Sequence, residues 1–266
     1  MVVSDAEPTA VDRTGSAEHL ATLLPVIATM REQSHQAFKL DDLAEMAYLS
    51  RFHFNRVFST VAGCPPVEFM TALRFDRAKQ LLLTTDLSVT NVCFEVGFSS
   101  LGTFSTRFTQ FVGLSPAEFR RLPELIDYGA RVPDYRLNAR PGTFSNAVVH
   151  GEVIGLAGDS GPVYIGLFPT RFARGRPITG TLLEGTNSFF FPNLPTGIYT
   201  LLAAAMPPSD GLMQHLQLDR RIRVGSGRRP VVIQTGQEQI DCDVMIRPVR
   251  PIDPPILVSL PALVVT

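Results

Sequence analysis

Two stretches of the chain share one pattern of aromatic and apolar positions. The positions Ser50, Phe54, Phe58, Gly63, Pro66, Glu68 and Phe69 recur 50 residues later as Ser100, Phe104, Phe108, Gly113, Pro116, Glu118 and Phe119. Just upstream, the apolar positions repeat at an offset of 49, a slip that a turn can absorb. A repeat of fixed period is typical of one supersecondary unit used twice. Each copy has the outline of a short helix, a tight turn and a second helix, so the pattern predicts two helix-turn-helix units.

Helix boundaries follow from the apolar spacing and from capping residues. From Ser16, apolar residues at spacings of three and four predict a supporting helix. Its buried face is expected to carry Leu20, Leu23, Leu24, Ile27 and Met30. Asp41 and Asp42 are expected to cap the first helix of the first helix-turn-helix, and Ser50 its second helix. Ser88 is expected to open the second helix-turn-helix.

In the first helix-turn-helix, a rotation of 100° per residue divides the second helix into two faces. The face predicted to be buried carries Phe54, Val57, Phe58 and Val61. The opposite face carries Phe52, Asn55, Arg56 and Ser59. Arginine suits guanine, an amide suits adenine, and an apolar group suits the thymine methyl. This face therefore has side chains that can contact base edges, and the alternative interpretation is an ordinary solvated helix face.

The corresponding face of the second helix-turn-helix has diverged. By phase it carries Gly102, Ser105, Thr106 and Thr109, and no long hydrogen-bond donor stands among them. Arg107 lies beside the apolar stripe, where its guanidinium is better placed for a phosphate than for a base. The two copies are therefore expected to contact DNA unequally.

At these residues the chain resembles the AraC/XylS family of bacterial transcription regulators. The resemblance covers about Ser16 to Leu122 and rests on the strings LAEMAYLSRFHFNRVF, GCPPVEFMTALRFDRAKQLL, LSVTNVCFEVGFSSLGTFSTRF and FVGLSPAEFRRL. It implies two helix-turn-helix units joined by a long helix. It also implies that the second helix of each unit enters the major groove, at segments about one helical turn, or roughly 34 Å, apart.

Carried over by position, the resemblance implies a set of DNA-contacting residues. They are Arg51, Phe52, Asn55 and Arg56 in the first copy, and Ser100, Leu101, Gly102, Ser105, Thr106 and Arg107 in the second. The family commonly has arginine where Thr106 stands and polar residues where Leu101 and Gly102 stand. Base recognition is therefore expected mainly from the first copy. The family also more commonly places a ligand-sensing domain before the DNA-binding one.

After Arg121 the helical spacing stops and short apolar runs recur between turn residues. The runs span 147–154, 163–168, 188–191, 198–204, 216–224, 230–234 and 242–246. About seven such strands predict an all-β sandwich. The strings VVHGEVIG, GPVYIGLF and NSFFFPNLPTGIYTLLAA resemble carboxypeptidase-regulatory-like domains of the transthyretin-like sandwich type. This second resemblance covers about Thr143 to Arg250 and implies a fold more than a function.

The predicted fold class is thus multidomain, with an N-terminal all-α double helix-turn-helix domain followed by a C-terminal all-β sandwich. The expected segments are a disordered tail (1–15), the DNA-binding domain (16–122), a linker (123–141), the sandwich (142–250) and a Pro-rich extended arm (251–266).

Composition narrows the class of protein. The 266 residues contain no apolar run of the roughly 18 residues that a membrane helix needs. The polar N-terminus lacks the layout of a secretory signal, so we expect a cytoplasmic protein. Cys64, Cys93 and Cys242 have neither disulfide-scaffold nor metal-ligand spacing, and no cofactor or metal is expected. Between Phe38 and Leu122, nine basic residues stand against eight acidic ones, a small excess for a DNA-binding domain.

The string GDSGP at 158–162 is similar to the nucleophile loop of chymotrypsin-like proteases, with one glycine missing. A catalytic triad also needs a positioned base and a carboxylate, and neither His150 nor His215 lies in a matching motif. Asp, Ser, Gly and Pro between two strands are ordinary turn residues. We therefore interpret the string as a turn and expect no enzymatic activity.

The sequence as a whole predicts a sequence-specific DNA-binding transcription regulator. Double-stranded DNA is the expected partner and RNA polymerase a further one, with no membrane involved. The C-terminal domain is expected to bind a small-molecule effector or to form a homodimer. The alternative is a protein-interaction module built from a degenerate helix-turn-helix pair, which the near-neutral charge favours.

Overall fold

The computed structural model describes residues 10–127, 144–156, 160–208, 221–236 and 238–260. In that part of the chain, seven helices precede nine strands. The helices are α1 (Ala10–Glu32), α2 (Leu40–Met46), α3 (Arg51–Ala62), α4 (Pro66–Thr84), α5 (Val89–Glu95), α6 (Leu101–Val112) and α7 (Pro116–Asp127). The strands are β1 (Val148–Ile154), β2 (Val163–Phe168), β3 (Thr179–Leu183), β4 (Ser188–Phe191), β5 (Gly197–Ala205), β6 (Arg223–Gly227), β7 (Val231–Ile233), β8 (Gln239–Asp241) and β9 (Val244–Pro248).

The chain divides into two compact units. The first compact unit consists of the chain up to Arg74 together with Arg250–Pro254. The second consists of Phe75–Val249 and the chain from Pro255. The division falls inside α4, so α1 to α3 belong to the first unit, whereas α5 to α7 and the strands belong to the second. The domain boundaries expected from the sequence stay a prediction.

The first helix-turn-helix consists of α2, a turn and α3. The turn passes through Tyr48, whose φ is 54°, and the Leu49 N–H donates to the Ala44 carbonyl at 3.0 Å. The α3 helix ends where the Gly63 N–H donates to the Ser59 carbonyl at 3.0 Å. The residues that α3 buries are Phe54, Val57, Phe58 and Ala62. The aromatic spacing therefore predicted three of these four residues, whereas Val61, which was also expected to be buried, is half-buried.

The second helix-turn-helix consists of α5, a turn and α6, and it repeats the same internal hydrogen bonds. Its turn passes through Gly97, whose φ is 83°, and the Phe98 N–H donates to the Cys93 carbonyl at 3.0 Å. The α6 helix ends where the Gly113 N–H donates to the Thr109 carbonyl at 2.9 Å. The residues that α6 buries are Phe104, Phe108, Phe111 and Val112. The sequence repeat is thus also a repeat of local structure.

Tyr48 holds a backbone conformation that glycine holds in the second turn. At a φ of 54° an L side chain crowds its own backbone, at a cost of about 1–2 kcal/mol. The Tyr48 side chain is 95% exposed, so packing offsets little of this cost. Tyr48→Gly is expected to raise the free energy of unfolding by about 0.5–1 kcal/mol, because the greater freedom of glycine in the unfolded chain cancels part of the gain. Urea unfolding followed by circular dichroism measures this change.

The matched control for Tyr48→Gly is Gly97→Ala in the second turn. Its φ of 83° is strained for any L residue, so alanine is expected to lower the free energy of unfolding by about 1 kcal/mol. A change in the same direction for both substitutions would show that backbone conformation is not the cause.

Two helix starts differ from the prediction. The α1 helix begins at Ala10, so residues 10–15 are helical and do not belong to a disordered tail. The face that α1 buries includes Val26, whereas Leu24 is exposed, because the buried stripe follows the spacing 23, 26, 27 and 30. The α2 helix begins at Leu40, so the two predicted capping residues lie in its first turn. Asp42 still satisfies the helix start, since its carboxylate accepts from the Lys39 N–H at 2.9 Å.

The last helix also extends beyond the prediction. The α7 helix continues through Pro123 to Asp127, into the segment expected to be a linker. A proline inside a helix removes one backbone hydrogen bond, and here the helix continues past it. Residues 128–143, which include most of the predicted linker, lie outside the described part of the chain.

The strands form one connected sheet in the order β3-β2-β5-β6-β9-β1-β4, with β7 paired to β5 and β8 paired to β1. The strands at the two ends of this order, β3 and β4, lie close to each other, which makes the sheet nearly a barrel. One hydrophobic core cluster lies within this curved sheet and includes Val149, Ile165, Leu201, Val244 and Ile246. The region is therefore sheet-rich, as predicted.

The strand pattern predicted most of the elements of this sheet but missed two strands. The β3 and β8 strands were not expected, because β3 (TGTLL) has only two apolar residues, both at its end, and β8 is only three residues long. The predicted run at 216–224 is described only from residue 221, and β6 begins at Arg223. Of the GDSGP string, the Gly161 N–H donates to the Met206 carbonyl at 3.0 Å. Residues 157–159 and His215 lie outside the described residues.

The C-terminal segment is not an extended arm over the residues that are described. Its buried apolar residues are Ile252, Leu257, Val258 and Leu260. In the first compact unit, the Arg31 guanidinium donates to the carbonyls of Pro251 and Asp253, each at 2.8 Å. In the second, the Leu257 N–H donates to the Ala173 carbonyl at 3.3 Å. The high proline content prevents regular structure but not burial, which is why the prediction for 251–260 was wrong.

Candidate nucleic-acid interface

The α3 helix presents a polar and aromatic face on the side away from its buried residues. Phe52 is 87% exposed. Arg51, Asn55 and Arg56 are exposed as well. One helix therefore presents an aromatic ring, an amide and two guanidinium groups to solvent. These are the groups that hydrogen-bond to base edges and phosphates or pack against thymine.

The hydroxyl groups of this helix are used within the helix itself. The Ser59 hydroxyl donates to the Asn55 carbonyl at 2.6 Å, and the Thr60 hydroxyl donates to the Arg56 carbonyl at 2.9 Å. Hydroxyl groups that bond back to the preceding turn have less to offer a ligand. Ser59, which shares the phase of the exposed face, is half-buried. The candidate contact residues of α3 are therefore Arg51, Phe52, Asn55 and Arg56.

Arg51 has an acidic neighbour on α2. Its Nε lies 3.7 Å from Oδ1 of Asp41, and both side chains are largely exposed. A surface ion pair of this kind contributes about 0–1 kcal/mol and is screened by salt. A phosphate group could therefore replace the Asp41 carboxylate as the partner of Arg51 at little cost.

The face of α6 offers fewer hydrogen-bond donors. The Ser100 hydroxyl accepts from the Thr103 N–H at 3.4 Å, so it caps the helix. Leu101, Gly102 and Thr106 are exposed, and Ser105 is half-buried. None of these four residues of α6 has a long polar side chain, and they lie on one side of the helix, as the helical phase required.

Arg107 is half-buried and packs along its own helix. Its guanidinium carbon lies 5.8 Å from the centroid of the Phe111 ring, one turn further along α6. A guanidinium over an aromatic ring is attracted to the ring's negative face. Arg107 is therefore held against the helix surface, and its contact with a phosphate stays a prediction.

Sequence reasoning missed one group of residues next to α6. The loop 170–177, between β2 and β3, has three arginines, of which Arg174 stacks on Phe111 with its guanidinium carbon 5.1 Å from the ring centroid. Arg176 donates from Nε to the Gly113 carbonyl at 3.2 Å. The string RFARGR, with arginine at 171, 174 and 176, is the signal that could have identified this basic loop.

The described residues contain neither a metal-binding cluster nor a membrane-spanning helix. No group of three or more His, Cys, Asp or Glu residues is arranged there to hold a metal ion. In the same part of the chain, no helix combines the length and the apolar character that crossing a membrane requires.

Comparison with known proteins identifies the domain that contains the repeat. Residues 43–122 match a family model described as a helix-turn-helix domain. This region is a helix-turn-helix domain. The match covers both copies of the repeat, from α2 to α7, and therefore all ten candidate DNA-contacting residues.

Regulatory proteins are similar to this chain over the helix-turn-helix domain. The MmsAB operon regulatory protein of Pseudomonas aeruginosa is 36% identical over 94 residues, which are 35% of this chain and 31% of that protein. The transcriptional activator AarP of Providencia stuartii is 33% identical over 81 residues, which are 30% of this chain and 60% of that protein. This chain spans about a third of the length of the first of these relatives.

A solved structure is also similar in sequence over the same domain. It is the DNA-binding domain of AdpA, a global transcriptional factor, in complex with a target DNA. That chain is 33% identical, with 41% of this chain and 96% of that chain covered, at a TM-score of 0.34.

Proposed function

We propose that the protein is a DNA-binding transcription regulator of the AraC type that recognises two adjacent major-groove segments. The observation that carries this proposal is the helix-turn-helix domain at residues 43–122, together with the regulatory function named for its relatives. In this fold the second helix of each unit is the one that enters the major groove. Those helices are α3 and α6.

The exposed faces of α3 and α6 differ, so the two helices are proposed to contact DNA in different ways. In α3, Arg56 would donate to guanine, Asn55 would pair with adenine, and Phe52 would contact a thymine methyl. In α6, Thr106 and its neighbours offer short side chains, so this helix would mostly contact the DNA backbone, with Arg107 near a phosphate. Sequence recognition would therefore rest mainly on the first helix-turn-helix.

The sheet-rich region takes the regulatory role in this proposal. We assign it to the carboxypeptidase-regulatory-like, transthyretin-like sandwiches, on the strings VVHGEVIG and GPVYIGLF. It would bind a small-molecule effector or pair with a second copy, while the DNA-bound protein would act on RNA polymerase in the cytoplasm. A second candidate function, a protein-interaction module, is favoured by the near balance of nine basic and eight acidic residues between Phe38 and Leu122.

Arg56→Ala is expected to weaken binding to a selected DNA site by about 1–3 kcal/mol and to relax the preference at one base pair. The reason is the loss of a two-pronged contact to one base, which alanine cannot replace. The full-length protein and the variant are compared by selecting bound sequences from random DNA and by titrating the selected duplex.

The control is Thr106→Ala, the same truncation at the corresponding position of the second copy. It is expected to change both affinity and base preference less than Arg56→Ala does. Equal information at both segments of the selected site would contradict the proposed asymmetry. Salt separates the two candidate functions, because phosphate contacts make affinity fall steeply with salt concentration. An absence of DNA binding at low salt would favour the protein-interaction module.

A further inference from the structure

A loop of the sheet-rich region docks on the carboxyl end of α6, inside the second compact unit. The loop joins β2 to β3 and has the sequence TRFARGRP at 170–177. The last carbonyl groups of a helix have no partners within the helix. Here the Gly175 N–H donates to the Phe111 carbonyl at 2.6 Å, and the Arg176 Nε donates to the Gly113 carbonyl at 3.2 Å. The loop therefore supplies hydrogen-bond donors to two carbonyl groups at the end of the second recognition helix.

Gly175 fits this contact because it has no side chain. Its φ is +66°, and a Cβ atom at this position would lie 2.7 Å from the Gln110 carbonyl oxygen. A larger residue would strain the loop and also push it away from α6. The contact thus depends on the shape of the two backbones and not only on charge.

The same loop packs against the aromatic ring that supports Arg107. The guanidinium carbon of Arg174 lies 5.1 Å from the Phe111 ring centroid and 5.2 Å from that of Phe172. The rings of Phe111 and Phe172 are 6.4 Å apart. Phe111 therefore has one guanidinium from its own helix and another from the sheet-rich region. Positive charge near the carboxyl end of a helix is also electrostatically favourable.

The α6 helix depends on its position more than α3 does. The α6 positions predicted by phase to face DNA have no long donor, so contacts to the DNA backbone are expected from the helix itself and from Arg107. Backbone contacts of this kind are lost when a helix shifts by a small distance, because short side chains cannot reach further. Contacts that fix the position of the carboxyl end of α6 therefore affect how well this helix fits the DNA.

We propose that Arg174, Gly175 and Arg176 are positioning residues for the second recognition helix, so that the sheet-rich region is a working part of the second helix-turn-helix. This proposal rests on the proposed function, because it assigns the loop a role in DNA binding. The loop acts on DNA through α6 and needs no DNA contact of its own.

The decisive variant is Gly175→Ala in the full-length protein, because it changes no charge. The probes are the duplex selected by the wild-type protein and the same duplex with the segment for the second helix-turn-helix scrambled. Gly175→Ala is expected to lower affinity for the intact duplex about three- to tenfold and to leave affinity for the scrambled duplex unchanged. Arg174→Ala is expected to give the same selective loss, since it removes the stacking on Phe111.

Matched controls exist for both substitutions. Gly185→Ala places alanine at a φ of +68° in another loop of the same region, where an added Cβ meets nothing within 4 Å. Arg228→Ala removes one exposed arginine charge from the short connection between β6 and β7. Both controls should bind the two duplexes as the wild type does. Equal losses on both duplexes for Arg174→Ala, with none for Gly175→Ala, would indicate a direct phosphate contact and overturn the proposal.

Amide hydrogen exchange without DNA tests the docking separately. Gly175→Ala and Arg174→Ala are expected to speed exchange in the last turn of α6 about tenfold, whereas the two controls leave it unchanged. Unchanged exchange would refute the docking role by itself. A wild-type protein that bound no DNA would instead refute the proposed function, and with it the role of the loop in DNA binding.

Discussion

Replacing Phe75 by alanine is expected to destabilise the second compact unit by about 3–5 kcal/mol, as truncation of a fully buried phenylalanine usually does. Phe75 belongs to α4 and is 0% exposed. It contacts four other aromatic rings, at centroid distances of 5.3 Å (Phe98), 5.9 Å (Phe104), 5.5 Å (Phe108) and 5.4 Å (Phe111). Removing the Phe75 ring would leave a cavity between the turn that joins α5 to α6 and the buried face of α6.

The measurement is urea unfolding at equilibrium, with Phe94→Ala as the control. Phe94 lies on α5 of the same helix-turn-helix but is 56% exposed, so the same truncation should change the free energy of unfolding by no more than about 0.5 kcal/mol. Similar losses for the two variants would show that the ring cluster does not anchor the second helix-turn-helix. Because three of the four rings belong to α6, Phe75→Ala should also weaken binding to the intact duplex more than to the scrambled one.

The helix-turn-helix domain could be predicted because its information is local. Aromatic residues at i and i+4, such as Phe54 and Phe58, define a buried stripe within one helix, and the opposite face follows from geometry. The exposure of Phe52, Asn55 and Arg56 was predicted in this way. The repeat then predicted the second copy. Phe75 lies outside the repeated positions, so the repeat gave no sign of its central place in the second core.

The sheet and the loop contact could not be predicted to the same depth, because they depend on residues far apart in the chain. Val149 of β1 pairs with Ile240 of β8 in a parallel register, and no local pattern specifies that partner. The hydrogen bond between Gly175 and Phe111 also joins residues far apart in the chain, so no local pattern predicts it. Local pattern also failed for the buried residues of the C-terminal segment, where proline content suggested an arm. DNA contact by the predicted residues stays a prediction.

Lys79 is a buried lysine of the second compact unit, and its burial is expected to make the stability of the protein depend on pH. Its residue is 4% exposed, and its Nζ donates to the Ile256 carbonyl at 3.1 Å. The Nζ also lies 5.7 Å from the centroid of the Phe119 ring. Burial lowers the pKa of Lys79 from 10.5 to about 8, and the Asp76 carboxylate opposes this by favouring the charged form. The folded protein therefore releases this proton at a lower pH than the unfolded chain.

Stability is expected to increase as the pH rises from about 8 towards 10.5. In that range the unfolded chain still binds the Lys79 proton while the folded protein does not, so the free energy of unfolding increases with pH. The change in pKa of Lys79 from 10.5 to about 8 corresponds to a gain of up to about 3 kcal/mol over the range. Below pH 8 both states are protonated and the cost of burying the charge is present in full.

The test is a series of urea unfolding experiments between pH 7 and pH 10.5 on the wild type, Lys79→Met and Lys39→Met. Lys79→Met removes the titrating group, so its free energy of unfolding should lack the rise that the wild type shows. Lys39 is exposed, and Lys39→Met is expected to keep the wild-type pH dependence. A parallel pH dependence for Lys79→Met and the wild type would mean that Lys79 is charged in the folded protein throughout this range. Other groups also titrate between pH 7 and pH 10.5. Both variants lose one lysine, but only Lys79→Met loses a buried one. The difference between the two variants therefore isolates the contribution of Lys79.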